Sequence, residues 1–384
     1  MGMDKLKVMT IFGTRPEAIK MAPLVKELER REEIESLCCV TAQHRQMLDS
    51  VLDIFGIAPQ FDLDIMEPSQ TLSTITTKCL LGLEKVFQEV RPDLVLVHGD
   101  TSTTFAGALA AFYQQIAVGH VEAGLRTWDR YSPFPEEMNR AMVGRLAQLH
   151  FCPTAANRRN LEAEGITKGL YVTGNTVIDA LQTTVAENFN FGEDALNRLD
   201  YQGKRVILVT CHRRENYGAP MEDIMAALAR IARSHRSVEL VYPVHLSPVV
   251  QECAHRNLDG LDNVHLIAPL DVEEMHNLMA RSFLVMTDSG GLQEEAPALG
   301  KPVLVLRKET ERPEAVQAGT VKLAGVCRDD IVGMAEELLT DPAAYARMAH
   351  AVNPYGDGRA CRRIADAVLC HFGRLDRPPE PFEG

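Results

Sequence analysis

The chain is 384 residues long, 46% apolar and 24% charged, and its 40 Lys and Arg against 53 Asp and Glu give a formal net charge of −13. Such a length points to two domains. The charge argues against nucleic acid or an anionic membrane as partner, and leaves room for a phosphate-bearing small substrate where basic side chains gather locally.

Short apolar runs alternate with helical patterns along almost the whole chain, which predicts an α/β fold with parallel sheets. The first half has candidate strands at 8–12, 37–41, 94–98, 116–121, 149–152 and 170–173, and the second at 206–210, 238–243, 264–268, 283–287, 303–306 and 321–323. None alternates, as expected of strands covered on both faces. The polar stretch 183–204 reads as the passage between two domains, 1–180 and 181–359. A last helix near 360–373 is expected to pack back on the first domain, and the Pro- and charge-rich tail 374–384 to be disordered. Nine cysteines lack a CxxC pair, residues 1–7 lack a signal-peptide core, and no run approaches 18 apolar residues. Together these fit a cytoplasmic protein with reduced, mostly buried thiols.

The chemistry concentrates between 94 and 140. One apolar run stops at His98-Gly99-Asp100 before a Thr/Ser cluster, and a second stops at Glu122. A Pro-broken loop then delivers Glu136 to the head of a helix. In a parallel sheet, ligands sit beyond the carboxyl ends of the strands, so three acids converging there suggest proton transfer. Each acid also has a plain structural reading: Asp100 as a helix cap, Glu122 as the ion-pair partner of Arg126, and Glu136 as a first-turn carboxylate. Their joint placement favours catalysis.

Gly13-Thr14-Arg15-Pro16-Glu17 follows the first strand with one glycine where a dinucleotide fingerprint needs three, which argues against bound NAD. There Arg15 would face the crevice beside free N–H groups at a helix start, a place for phosphate. Thr287-Asp288-Ser289-Gly290-Gly291 repeats that logic in the second half. It combines a capping Asp/Ser, two glycines that admit an anion, and Glu295 a turn on for ribose hydroxyls. His212-Arg213-Arg214 closes the first strand of the second half and can neutralise a leaving pyrophosphate. Its spacing is not that of a zinc site, and no metal site is expected. Arg-Pro-Glu-Ala occurs at 15–18 and again at 312–315, and the echo reads either as chance or as equivalent roles in two similar halves.

Together these stretches resemble the non-hydrolysing UDP-N-acetylglucosamine 2-epimerase family. The text that carries the resemblance is GTRPEAIKMAPLV (13–25), TAQHRQML (41–48), LVHGDTSTT (96–104), GHVEAGLRT (119–127), SPFPEEMNR (132–140) and VTGNTVIDAL (172–181), followed by HRREN (212–216), YPVH (242–245), TDSGGLQEEAP (287–297), ERPEAVQAGT (311–320) and NPYGDG (353–358). The resemblance implies two Rossmann-like domains facing across a cleft, a glycosyltransferase-B-like fold. It also implies a homodimer that interconverts UDP-N-acetylglucosamine and UDP-N-acetylmannosamine without a cofactor. The implied catalytic residues are Asp100, Glu122, Glu136 and His212. The implied nucleotide-sugar contacts are Arg15, Lys20, Ser289, Gly290, Gly291, Glu295 and Arg312. Met275 aligns where the family often has an aromatic residue over the uracil. A second, activating UDP-N-acetylglucosamine would meet Gln43, His44, Gln46, Glu136, Arg213 and His245. Some relatives have an Arg where this chain has Ser69, so activation is expected to be weak or absent. Three alternatives stay open from the residues alone: a UDP-sugar glycosyltransferase on the same fold, a hydrolysing epimerase, and a non-enzymatic nucleotide-sugar sensor.

Overall fold

The computed structural model describes residues 4–42, 45–67 and 70–384. The first sheet contains β1 (Leu6–Phe12), β2 (Ile34–Val40), β3 (Phe61–Asp62), β4 (Leu94–His98), β5 (Ala117–Val121), β6 (Leu149–Cys152) and β7 (Leu170–Val172), in the order β3-β2-β1-β4-β5-β6-β7. The second contains β8 (Arg205–Thr210), β9 (Val238–Pro243), β10 (Val264–Ile267), β11 (Leu284–Thr287), β12 (Val303–Val305) and β13 (Val321–Leu323), ordered β10-β9-β8-β11-β12-β13. Every pairing is parallel. Each expected strand is present, with ends shifted by up to three residues. The unexpected one is β3, two residues paired to Cys39 and Val40 and too short to register as an apolar run.

Chain direction across each sheet reverses between neighbouring central strands, β1 and β4 in one and β8 and β11 in the other. A crevice opens beyond the carboxyl ends of strands at such a point. Helix Ser102–Tyr113 lies tight on the first of these strand pairs because of Gly107: a Cβ there would stand 3.1 Å from Val97 Cγ1 and 3.6 Å from Ile11 Cγ2. The Arg-Pro-Glu-Ala echo marks no shared topology. One copy follows the central strand β1 and the other follows β12, toward the sheet edge, so the two have in common only Pro and an acid in the first turn of a helix.

Two compact units emerge, Met1–Thr183 with Tyr355–Gly384, and Thr184–Pro354. The boundaries differ from the expected 180/181 and 359/360 for identifiable reasons. The stretch after Thr183 is part of the second unit rather than a passage. Thr184 Oγ1 is 2.7 Å from His276 Nδ1, Asn277 Nδ2 donates to the Thr184 carbonyl (2.7 Å), and the Arg281 guanidinium lies over the buried Phe191 ring. On the return, the Tyr355 carbonyl already accepts the Asn175 N–H at 2.6 Å. The last helix, Ala360–His371, is fixed at its start by the Asp179 carboxylate, which accepts from the N–H groups of Ala360 (3.1 Å) and Cys361 (2.8 Å). Burial pushes Asp179 up to about 6 against those bonds.

The tail is not disordered. Phe382 is buried, its N–H donates to the Val172 carbonyl (2.8 Å) at the edge strand β7, and Arg363 covers its ring. Composition favours disorder there, but one aromatic anchor offsets the ordering entropy. All nine cysteines are free thiols, and Cys327 alone is exposed. Replacing the anchor, Phe382→Ala, should lower stability by about 2 kcal/mol, somewhat under the cost of a fully interior Phe. Urea unfolding of the two proteins side by side checks this.

Candidate active site

In the first unit the functional side chains hang on two strand ends. Beyond β4 the chain turns through Gly99, whose φ of 69° is in the left-handed region, and Gly99 N–H bonds to the Val121 carbonyl at 2.9 Å. His120 Nε2 lies 2.7 Å from the Gly99 carbonyl and braces the same turn. Asp100 does not cap the following helix. Thr101 does, accepting from Thr104 N–H at 3.1 Å, so the Asp100 carboxylate is left to point elsewhere. Beyond β5, Glu122 itself adopts a φ of 61°, a backbone strain of the kind that gathers at functional sites.

Both acids meet one cation. Arg140, on the helix Glu136–Leu146, reaches Asp100 Oδ2 through Nη2 (2.5 Å) and Nε (3.2 Å), and Glu122 Oε1 through Nη2 (3.4 Å). It also donates to the Glu122 carbonyl. The other Glu122 oxygen takes Lys20 Nζ and Asn175 Nδ2 (3.0 Å). Glu122 is 8% exposed. Burial pushes its carboxyl up, yet Lys20, His98 and Arg140 outweigh that and hold it well below the usual range. The ion pair anticipated with Arg126 does not form, because Arg126 is bound by Glu164 at 2.6 and 2.9 Å.

Adjacent glutamates divide the remaining work. Glu137 is buried and accepts the N–H groups of Thr127 and Trp128 (both 3.0 Å), tying down the loop. Glu136 opens the helix one turn before Arg140, hence on the same face, half-buried and without a hydrogen bond or ion pair among the described residues.

The anion seat expected beside Arg15 is filled internally. Glu17 Oε2 accepts from the N–H groups of Gly13 (3.1 Å) and Thr14 (2.8 Å), while Thr101 donates to Oε1 (2.7 Å). Arg15 itself is half-buried and has no partner among the described residues, so its guanidinium remains available.

The second unit uses a buried carboxylate in the same way. Asp288, fully buried after β11, does not cap the next helix. Its Oδ2 accepts the N–H groups of His212 and Arg213 (both 2.7 Å) and the Asn216 side-chain amide (3.2 Å), fixing the loop beyond β8. His212 Nδ1 is 3.5 Å from Asp288 Oδ1, and its ring stacks on His245 with centroids 5.1 Å apart. Burial lowers the His212 pKa against the pull of Asp288. His245 Nδ1 accepts the Ser247 N–H (3.0 Å), which leaves its Nε2 as the donor. Arg213 and Arg312 flank Gly290, where a Cβ would meet their guanidinium ends at 3.8 and 3.9 Å. Gly290 has no positive φ and no clash, so the fold itself does not demand glycine there, consistent with close approach of an anion. Arg312 is ion-paired with the buried Glu294. Glu295 lies 3.4 Å from His276 Nε2, Ser289 N–H bonds to Thr287 Oγ1 (2.9 Å), and Met275 is half-buried beside His276 on the helix Val272–Arg281.

Of the residues expected at a second nucleotide-sugar site, Gln43 and His44 lie outside the described residues, as does Ser69. Gln46 falls in the helix Arg45–Phe55, and Arg213 and His245 flank His212 in the second unit. Arg140 and Asn175 were not singled out from sequence, His98 was named only as the end of an apolar run, and Asp288 was read as a helix cap. The spacing of Arg140 four residues after Glu136 is the signal that marks it. Among the described residues no group of His, Cys, Asp and Glu is arranged to hold a metal ion.

A protein-family model described as UDP-N-acetylglucosamine 2-epimerase matches residues 26–369. The chain is 57% identical over 384 residues to the UDP-N-acetylglucosamine 2-epimerase of Bacillus subtilis, covering all of both chains. A solved UDP-N-acetylglucosamine 2-epimerase superposes with a TM-score of 0.93 at 56% identity, again over all of both chains. The UDP-GlcNAc 2-epimerase of Neisseria meningitidis, solved bound to UDP-GlcNAc, gives a TM-score of 0.85 at 48% identity over 95% of this chain and 100% of that one.

Replacing Arg140 with Met strands two carboxylates, one of them buried, and should destabilise the protein by about 3–5 kcal/mol at pH 7. Stability from the lowered Glu122 pKa is present above the usual value of 4.5 and is lost as pH falls through the folded one. The deficit of the variant should therefore be smaller at pH 4 than at pH 7, because losing Arg140 raises the folded pKa of Glu122 and moves its protonation to higher pH than in the wild type. Denaturant titrations of both proteins at the two pH values check the sign.

Proposed function

We propose a mechanism for a chain that belongs to the UDP-N-acetylglucosamine 2-epimerase family and is an enzyme of that class: reversible inversion at C2 of UDP-N-acetylglucosamine to UDP-N-acetylmannosamine, without cofactor and without hydrolysis. The sugar C2–H has no neighbouring carbonyl to acidify it. Breaking the C1–O bond supplies the acidity instead, because the electron pair leaves with UDP and oxocarbenium character develops at C1. A carboxylate then takes the C2 proton, and the C–H pair becomes the C1=C2 bond of 2-acetamidoglucal. UDP adds back at C1 as a proton arrives at C2 from the opposite face.

The observation that carries this reading is the Asp100–Arg140–Glu122 cluster at the crevice of the first unit. It offers two fixed carboxylates for proton work, with Glu136 one turn from Arg140 as the third. Positive charge for the departing diphosphate comes from Arg15, Lys20, Arg213 and Arg312, and His212 assists UDP departure. Backbone at Ser289, Gly290 and Gly291 receives phosphate, Glu295 takes the ribose hydroxyls, and the Met275 thioether covers the base.

The enzyme works as a homodimer in the cytoplasm, and its product feeds cell-surface polysaccharide synthesis. Exposed Phe112 and Tyr113 at the end of helix Ser102–Tyr113, with Leu81 exposed on the neighbouring helix Leu72–Val90, supply apolar surface for a second copy. Among the described residues no helix is long and apolar enough to cross a membrane.

Proton NMR of the purified protein with UDP-N-acetylglucosamine in D₂O tests the reaction. The expected result is UDP-N-acetylmannosamine with deuterium at C2 of both epimers and no added cofactor. An unchanged spectrum sinks the reading, and free N-acetylmannosamine with UDP moves it to the hydrolysing class. With Ser69 in place of a charge for a second pyrophosphate, initial rates should follow simple saturation in UDP-N-acetylglucosamine. A sigmoidal curve would show that activation survives.

A further inference from the structure

His98 ends β4 buried, and neither ring nitrogen has a hydrogen-bond partner among the described residues. An imidazole N–H sealed from water without an acceptor is costly. A carboxylate acceptor is close, since Nε2 lies 3.8 Å from Glu122 Oε2, about an ångström beyond bonding distance. That same oxygen is held by Lys20 and Asn175. Of the two other buried histidines on this sheet, His120 places Nε2 on the Gly99 carbonyl, and His150 lies on β6. The unused donor thus faces a carboxylate oxygen that a lysine has drawn aside.

We propose that His98 is a positioning residue that takes over Glu122 when the diphosphate of the nucleotide sugar draws Lys20 away. This rests on the reading of Lys20 as a diphosphate contact. In the free enzyme, Lys20 and Arg140 keep Glu122 ionised but make it a poor base. Once Lys20 turns to phosphate, a short shift of the carboxylate brings Oε2 onto His98 Nε2–H. A neutral donor lowers proton affinity less than a cation does, so Glu122 becomes basic enough to take the C2 proton only when a diphosphate is present. The charged groups that face His98 are Glu122, Lys20, Arg140 and Asp100, and burial holds its pKa at about 4. The imidazole therefore contributes an N–H and no charge near neutral pH. Substrate binding and base activation become one event, and a lone sugar without phosphate does not trigger it.

The test is the pH dependence of the two kinetic parameters, because kcat/KM reports ionisations of the free enzyme and kcat those of the substrate complex. In the wild type the acid limb of kcat should lie at higher pH than that of kcat/KM. His98→Phe leaves the loaded carboxylate without its donor, so the kcat limb should move up by about one more unit and kcat on that limb should fall about tenfold. The kcat/KM limb should stay where it was, since Lys20 still holds Glu122 in the free enzyme. His98→Gln, whose amide donates, should recover most of the loss. Both limbs unmoved in His98→Phe, or both moved together, would overturn the proposal, as would a glutamine variant no better than phenylalanine.

Should His98→Phe not fold, ¹⁵N-histidine NMR of the wild type with UDP decides. The His98 Nε2–H signal, identified by its absence from His98→Gln, should shift on UDP addition, and an unmoved signal would overturn the idea. A wild type that makes no epimer refutes the preceding reading. One that epimerises with unsplit limbs refutes this inference alone.

Discussion

The strand-end carboxylates of the first unit depend on one buried guanidinium. Arg140 binds two carboxylates and a main-chain carbonyl from two different strand ends, so it sets the separation of Asp100 and Glu122 and holds Glu122 in its left-handed turn. Such a cluster is a poor way to stabilise a fold, because desolvating its members costs several kcal/mol per ion. What it gives in return is geometry. Arg140 and Glu122 are each partnered in more than one direction, and removing Arg140 takes from Asp100 the cation that holds it.

The second unit solves the same problem with the opposite sign at its centre. Asp288 is the buried hub, and backbone N–H groups of His212 and Arg213 converge on it. In both units, then, an internal acid fills donors beyond the first central strand, Glu17 beyond β1 and Asp288 beyond β8. The loops are thereby rigid before any substrate arrives. The side chains they carry, Arg15 on one and His212 with Arg213 on the other, project from fixed backbone.

The sequence made the architecture legible because unbroken apolar runs separated by helical periods admit few arrangements. Two-residue β3 escaped, since nothing so short leaves a pattern. Residue type at the strand ends singled out Asp100 and Glu122, which the structure brings onto one arginine, but their partners were not readable. Asp100 next to Thr101 looks like a cap until the geometry shows that the threonine does the capping. Glu122 four residues before Arg126 looks like a local pair until Arg126 is found bound to Glu164, and its true partners Lys20, Asn175 and Arg140 come from distant segments. The tail misled for a related reason. Composition averages over residues, whereas one buried Phe382 determines where the segment rests.

Asn175, which holds Glu122, is itself anchored by the Tyr355 carbonyl. Between them in the chain lies the whole of the second unit, Thr184–Pro354. During synthesis, therefore, the ribosome must deliver a complete second unit before the first receives the strand of chain that steadies its own acid. A nascent first unit can form its sheet early, since domains fold largely as they emerge, but its chemistry stays unfinished until residue 355 is out. Order of manufacture thus keeps Glu122 without its full set of partners until the second unit has been made on the same chain.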